Sequence, residues 1–347
     1  MSGPGPTTYV VRPPQGSRKV AQPLGLQKPR RQQGAALLLA MIIVALIATA
    51  AAGMVWQQTR AVSIEAAERA RAQSAWILSG ALDWARLILR EDARGGPQRS
   101  AAYDSLDEPW AQPLAEARLS SFLAADKDNN ADGGPEAFIS GAIEDAHSRF
   151  NLRGLVDDAG KPVEVQLKAL QRLCALAGAP TDAADRIAQA LGAARVGSGE
   201  DAAGGAPIKP ERLADLAWLG IDAATLARLD PYVDLLPKPT PVNLNTASRE
   251  VIVAAVDGID LGGAQRLLQA RQRKAFTRVD DAMAQLTPGS VAAPDPGRVS
   301  VGSIYFRVSG RLRLEDRVLE ERSLLVRRDN RVDVLQREKR SFSGPLR

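Results

Sequence analysis

RRQQGAALLLAMIIVALIATAAAGMVWQQ, residues 30–58, decides how the chain is organised. A basic, glutamine-containing leader stops at Gly34, and from Ala35 to Val55 there is neither a charged residue nor a proline. About 20 apolar residues in helical conformation span the hydrocarbon core of a bilayer. The run therefore predicts a transmembrane helix over 35–55. A secretory signal peptide is the competing reading: its apolar region is roughly 7 to 15 residues, followed by a small-x-small cleavage site. Ala48-Thr49-Ala50 or Ala50-Ala51-Ala52 would supply that site. The length of the run opposes this reading, and so does what comes after it.

After Val55 the chain continues as WQQTRAVSIEAAERARAQSAWILSGALDWARLILREDAR, without proline and with Gly80 as the only glycine between Gly53 and Gly95. Val62, Ala66, Arg69, Gln73, Trp76, Gly80, Trp84 and Leu87 recur at helical spacing and form one mixed, largely apolar stripe. The spacing predicts one helix of roughly 57 residues, on the order of 85 Å long at 1.5 Å per residue. Its first third lies in the membrane and residues 56–95 continue it as an amphipathic segment. Gly95, Gly96 and Pro97 end it. The basic leader places the N-terminus in the cytoplasm and the body on the far side. Small residues in the span, Ala48, Ala51 and Gly53, suit close packing against other membrane helices.

Charge is unevenly placed. Of the 45 Lys and Arg, six lie in residues 1–34, which hold no acidic residue; the rest of the chain carries 39 against 40 Asp and Glu. The body is therefore neutral, unlike a domain built on a basic nucleic-acid footprint. The single cysteine, Cys174, excludes an intramolecular disulfide and sits in the apolar stretch LQRLCALAG, as a packed thiol would. The single histidine, His147, lies in EDAHSRFNL and reads as a solvated or hydrogen-bonded side chain. Neither carries a hydrolase signature. No enzyme is expected.

Beyond the long helix, residues 96–150 are mixed. GPEAFISGAIEDAHSRFNL alternates around Phe138, Ser140 and Ile139, Gly141, Ile143, which predicts a strand pair. From about Asn151 to Leu286 the pattern is helical, broken by GSGEDAAGGAP and LLPKPTPVN, which read as Gly/Pro linkers. Near the C-terminus SIYFRVSGRLRL puts Ile304, Phe306, Val308, Leu312 and Leu314 on one face and Arg307, Ser309, Arg311 and Arg313 on the other. Turns at Glu315-Asp316 and Asp329-Asn330 make 301–340 a three-stranded antiparallel meander with one solvated face. The fold class expected is α+β: a long N-terminal helix, a small antiparallel sheet, and an all-α insertion over residues 151–300.

A basic leader ending in glycine, set directly against an apolar run and an amphipathic helix, resembles the type IV prepilins and type II secretion pseudopilins. The resemblance implies that a prepilin peptidase cuts between Gly34 and Ala35 and methylates Ala35, while the apolar helix stays as inner-membrane anchor. Major pilins carry Glu at the fifth mature position, where it neutralises the amine of a neighbouring subunit. Leu39 stands there in this chain. A buried unpaired ammonium is costly, so a subunit with nothing above it has no use for that carboxylate. This departure, the helical insertion and the segments FNLRGL, PVNLNTAS and SVGSIYFRVSGRLRLEDRVLEERSLLVRRDNRVDVLQRE resemble the minor pseudopilin K family. It implies a non-enzymatic tip subunit in a periplasmic pseudopilus. Its implied partners are minor pseudopilins I and J, the major pseudopilin, the inner-membrane assembly platform and the secreted substrate.

Two further motifs need weighing. PVNLNTASREVIVAAVDGIDLGGAQRLLQARQRKAFTRVDDAM looks like a helix-hairpin-helix module, and an offset of 80 residues aligns Gly178, Ala184, Arg186, Gln189 and Ala190 with Gly258, Ala264, Arg266, Gln269 and Ala270. Two related hairpins follow, SAM-like in style. A membrane-tethered DNA receptor would use such hairpins to hold phosphates through backbone amides. Here Asp257 and Asp260 would repel that phosphate, and residues 242–286 carry six basic against five acidic side chains. A protein-contact surface is the stronger reading. In AADKDNNADGGPEAF, Asp126, Asp128, Asn130 and Asp132 offer oxygen donors at alternate positions, as a calcium loop would. Ala131 and Ala137 replace the Gly and Glu of an EF-hand, and a solvated acidic turn is the alternative.

Overall fold

The structure is a computed structural model that describes residues 33–95, 103–119, 137–196, 208–287, 295–314 and 317–343. By its internal contacts the chain divides into two units, residues 1–67 and 68–347. Helix α1, Gln33–Ala93, is a single helix of 61 residues. Within the first unit its apolar part is exposed on every side, as expected of a segment whose solvent is lipid. Gly95 ends it at φ 64°, a left-handed conformation that glycine adopts without penalty.

The second unit is built on a five-stranded antiparallel sheet. Its strands are β1 (Leu114–Arg118), β2 (Ala137–Asp145), β7 (Tyr305–Leu314), β8 (Arg317–Arg328) and β9 (Arg331–Ser343), adjacent in that order. The segment expected to form a strand pair forms β2 and the short strand Phe150–Asn151, which do not pair with each other. The neighbours of β2 are β1 before it and β7, more than 150 residues later, because Ala146–Ser148 turns into a 3-10 helix instead of a hairpin. β8 and β9 meet at a two-residue turn in which Asp329 takes φ 49°, a conformation that Asp and Asn tolerate better than most residues.

One sheet face packs under α1. Leu82, Ala85, Leu89, Trp110, Phe306, Val308 and Leu325 form one buried cluster. Leu78, Ile139 and Leu312 form another. Trp110 meets Phe306 edge to face with ring centroids 5.3 Å apart, a favoured aromatic geometry. Two glycines pair across β2 and β7, Gly141 with Gly310. A Cβ on Gly141 would lie 2.7 Å from the Ser309 carbonyl oxygen, and one on Gly310 would lie 3.2 Å from Leu78.

The opposite face differs from the solvated one expected from sequence. Tyr305, Leu324 and Val326 are buried there against Ala146 and Leu236. The helical insertion covers that end of the sheet. It contains two helix pairs, Glu164–Ala177 with Ala183–Val196 and Arg249–Ala255 with Leu261–Arg273. Two short parallel strand pairs close its base: β3 (Phe150–Asn151) with β4 (Val233–Asp234), and β5 (Val242–Asn243) with β6 (Val299–Ser300). LLPKPTPVN is therefore no linker. Leu235, Leu236, Val242 and Asn243 are all buried, and the stretch carries hydrogen bonds that hold the insertion.

Candidate assembly interface

α1 has two faces in the second unit. Ser74, Leu78, Leu82, Ala85 and Leu89 are buried against the sheet. The stripe that the sequence made conspicuous lies elsewhere: Trp76 is 79% exposed, Trp84 52% and Leu87 41%, and among the described residues no neighbouring atom lies within 4 Å of a Cβ placed on Gly80. Sequence periodicity found an apolar stripe but could not say which stripe the sheet would take. The small and aliphatic row packs flat on the strands; the bulky tryptophans flank a glycine notch on the outside. Exposed contiguous apolar surface of this kind marks an interaction face.

Gly34 and Ala35 lie in the first turn of α1 and are exposed, as is Leu39. Ala48 and Ala51 are one turn apart and share a face. Gly53 is five residues beyond Ala48, about 140° around the axis at 3.6 residues per turn, so it does not join that face. Asp126, Asp128, Asn130 and Asp132 lie outside the described residues. Among the described residues the carboxylates that could gather around a cation are Asp92, Asp104 and Glu108, whose oxygens lie within 4.8 Å of one another. The Arg327 guanidinium already occupies that role. It pairs with Asp92 at 2.7 Å and with Asp104, donates to the Ser303 carbonyl at 3.0 Å, and stacks over Phe306. Burial pushes Asp104 above the usual carboxylate range and Glu108 up to about 7, while a hydrogen bond from the Trp110 indole holds Glu108 down in part.

The fastening of insertion to sheet is the feature the sequence reading missed. Asp145, at the end of β2, is buried and accepts from the His147 N–H at 2.7 Å, the Ser303 hydroxyl at 2.7 Å, the Asn243 amide at 2.9 Å and the Thr246 hydroxyl. Its pKa is raised because burial outweighs these bonds. Asn151 donates to the Lys238 carbonyl at 2.7 Å and to Thr240 at 3.0 Å, and accepts from the N–H groups of Arg153 and Leu236. Arg307 on β7 pairs with buried Asp234. FNLRGL and PVNLNTAS thus supply the asparagines of the joint. The signal was present in the sequence as Asn between large apolar residues, which has no place in a core unless its amide is fully bonded.

In the second helix pair, amides and cations that a phosphate would use are engaged within the fold. In Arg249–Ala255 and Leu261–Arg273, the intervening Asp257 is paired with Arg172 at 2.6 Å and with buried Arg298. Asp260 accepts the Gly263 N–H at 2.6 Å, so it caps the second helix with an amide that a phosphate would need. Arg271 donates to the carbonyls of Leu244 and Ala247, both at 2.7 Å. Three of the nearby cations are thus spent inside the fold. Gly178 and Gly258, at corresponding places in the two helix pairs, both take positive φ. His147 is buried, with Nε2 accepting from the Ile304 N–H at 3.3 Å, and burial pushes its pKa down to about 4. Burial likewise raises the Cys174 thiol to about 11. Neither group is poised for nucleophilic or acid–base work at neutral pH.

A long apolar N-terminal helix packed by its second half on an antiparallel sheet defines a pilin-like, membrane-anchored subunit. Family models described as type II secretion system protein K match residues 148–238 and 242–302. Type II secretion system protein K of Pseudomonas aeruginosa is 32% identical, over 89% of this chain and 93% of its own length. The protein of the same description from Pectobacterium carotovorum is 28% identical, over 89% and 96%. Among solved structures, the fold is similar to a chain of the GspK-GspI-GspJ complex of the enterotoxigenic Escherichia coli type 2 secretion system. That match has a TM-score of 0.54 and 20% identity, and covers 79% of this chain and 98% of the other. The chain belongs to the type II secretion system protein K family and is a minor pseudopilin.

Proposed function

We propose that this subunit sits at the tip of a periplasmic pseudopilus, anchored in the inner membrane by residues 35–55, with its N-terminus cytoplasmic and its body periplasmic. The observation that carries this is the rigid seating of the helical insertion. Asp145, Asn151, Asn243 and the Arg307–Asp234 pair bind it to the sheet through buried charges and amides, so it does not swing aside to let another subunit stack above it. Leu39 in place of a glutamate fits a subunit that no amine approaches from above. The two hairpins, with left-handed glycines at corresponding positions, are read as related helix-hairpin-helix copies turned from phosphate binding to protein contact.

The partners are minor pseudopilins I and J, as in the complex named for the related E. coli chain. Further partners in this reading are the major pseudopilin, the assembly platform, the prepilin peptidase that cuts after Gly34, and the secreted substrate. The work is mechanical, with no reaction catalysed. Calcium held by Asp126, Asp128, Asn130 and Asp132 is part of this reading. Co-expression of the full chain with minor pseudopilins I and J, followed by detergent extraction, tests the reading. A complex with one copy of each supports it. A chain that leaves the extract alone, or one that incorporates repeatedly along a filament, contradicts it.

A further inference from the structure

Between the two apolar clusters under α1 lies a cavity of about 250 Å³. It exists because the row Gly141–Gly310 contributes no side chain where the helix crosses the sheet. Its walls are apolar: Leu78, Ala81 and Ala85 from α1, with Pro109 and Trp110 from the following loop. On its sheet side, polar groups stand among Ile139, Ile143 and Val308. Glu321 and Ser323 on β8 line it, and both are more than nine-tenths buried. Among the described residues the Ser323 hydroxyl has no hydrogen-bond partner, and the Glu321 oxygens have only the ion pairs to Arg337 at 3.0 Å and Lys339 at 3.5 Å. Buried oxygens left in this way are costly.

We infer that this cavity is a socket for a neutral, hydrogen-bond-donating aromatic side chain, a tyrosine or tryptophan, presented by a partner minor pseudopilin. A dry cavity of about 150 Å³ accepts benzene, so 250 Å³ accommodates an aromatic ring together with its polar substituent. Arg337 and Lys339 already neutralise Glu321, so the socket calls for a donor and not for a further cation. A lipid acyl chain brings no donor. The cavity also continues the exposed helix face. Trp84 belongs both to its lining and to the outward Trp76–Gly80–Trp84 surface, so a subunit laid along that surface reaches the mouth, where an incoming ring also meets the Trp84 indole.

The inference rests on the reading of the chain as a minor pseudopilin, and its test separates the two. The full chain is co-expressed with minor pseudopilins I and J and the complex is captured from detergent extract, with wild type, Ala81→Phe and Ser323→Ala compared. Ala81→Phe fills the socket from α1 and is expected to reduce capture at least tenfold while leaving the melting temperature equal or higher. Ser323→Ala removes one oxygen and is expected to reduce capture roughly threefold to tenfold; it carries the test should A81F fail to fold. A photoreactive benzoylphenylalanine at exposed Gln112, on the rim, is expected to cross-link a partner peptide that contains Tyr or Trp. Capture by both variants at the wild-type level, or a cross-link only to peptides without those residues, overturns the socket and leaves the pseudopilin reading standing. No capture by the wild type overturns both.

Discussion

Replacing Arg327 by Met tests how the second unit is held together. The guanidinium bridges Asp92 on α1 to Asp104 in the loop that follows, beside Glu108, and all these groups are largely removed from water. Methionine keeps the length of the aliphatic stem but loses the guanidinium that stacks over Phe306 and leaves two carboxylates uncompensated. Breaking a buried pair by removing one partner costs about 3–5 kcal/mol. For a cooperative unit of this size, that lowers the melting temperature by on the order of 10 °C. The loss is pH-dependent, with a definite sign. Glu108 titrates near 7, above its ordinary 4.5, so its stabilising contribution is full below about pH 4.5 and is lost as pH rises through 7. Without Arg327, Asp104 loses the cation that holds it down and titrates higher still. The deficit of R327M relative to wild type is therefore smaller at pH 5.5 than at pH 8, and Glu108→Gln added to R327M recovers part of the pH 8 loss. Thermal unfolding of the full chain in detergent, followed by circular dichroism at the two pH values, reads this out. A loss under 1 kcal/mol, or one independent of pH, would refute the reasoning.

Four other outcomes are expected. Asn151→Ala strands the Arg153 and Leu236 N–H groups and the Lys238 carbonyl, costing about 2–4 kcal/mol, and limited proteolysis should then release the insertion from the sheet. Leu89→Ala, at a fully buried position, should cost about 2–5 kcal/mol. Trp76→Ala on the exposed face should change stability by less than about 0.5 kcal/mol yet weaken capture of the other minor pseudopilins, which melting and pull-down measured side by side would show. Asp128→Asn should abolish any calcium-induced rise in melting temperature, and a rise that persists in this variant would remove residues 126–132 as the site.

How much of this was legible in the sequence depended on whether a pattern was local. The run 35–55, the Gly95 stop and the alternation of SIYFRVSGRLRL rest on residues near one another, and each forms the element that its period requires. The role of β2 was not legible. Its partner β7 lies more than 150 residues away, and alternation alone does not name a partner. The α1 stripe shows the same limit: the sequence marked Trp76, Gly80 and Trp84, whereas the sheet buries Leu78, Leu82 and Leu89, a choice made by the flatness of the receiving surface. LLPKPTPVN looked like a linker because Pro breaks regular structure, yet its irregular backbone is what lets Lys238 and Thr240 meet the Asn151 amide. Pairing of Asp257 with Arg172 and Arg298 was equally invisible in sequence, although the acidic hairpin already pointed away from phosphate.

The central claim is that the apolar helix is kept after Gly34 and serves as anchor and assembly element. The most direct test is the intact mass of the protein extracted from membranes, with and without an active prepilin peptidase. A peptidase-dependent species that begins at Ala35 and carries one additional methyl group is expected. A terminus near Ala52, or a mass that does not respond to the peptidase, would contradict it.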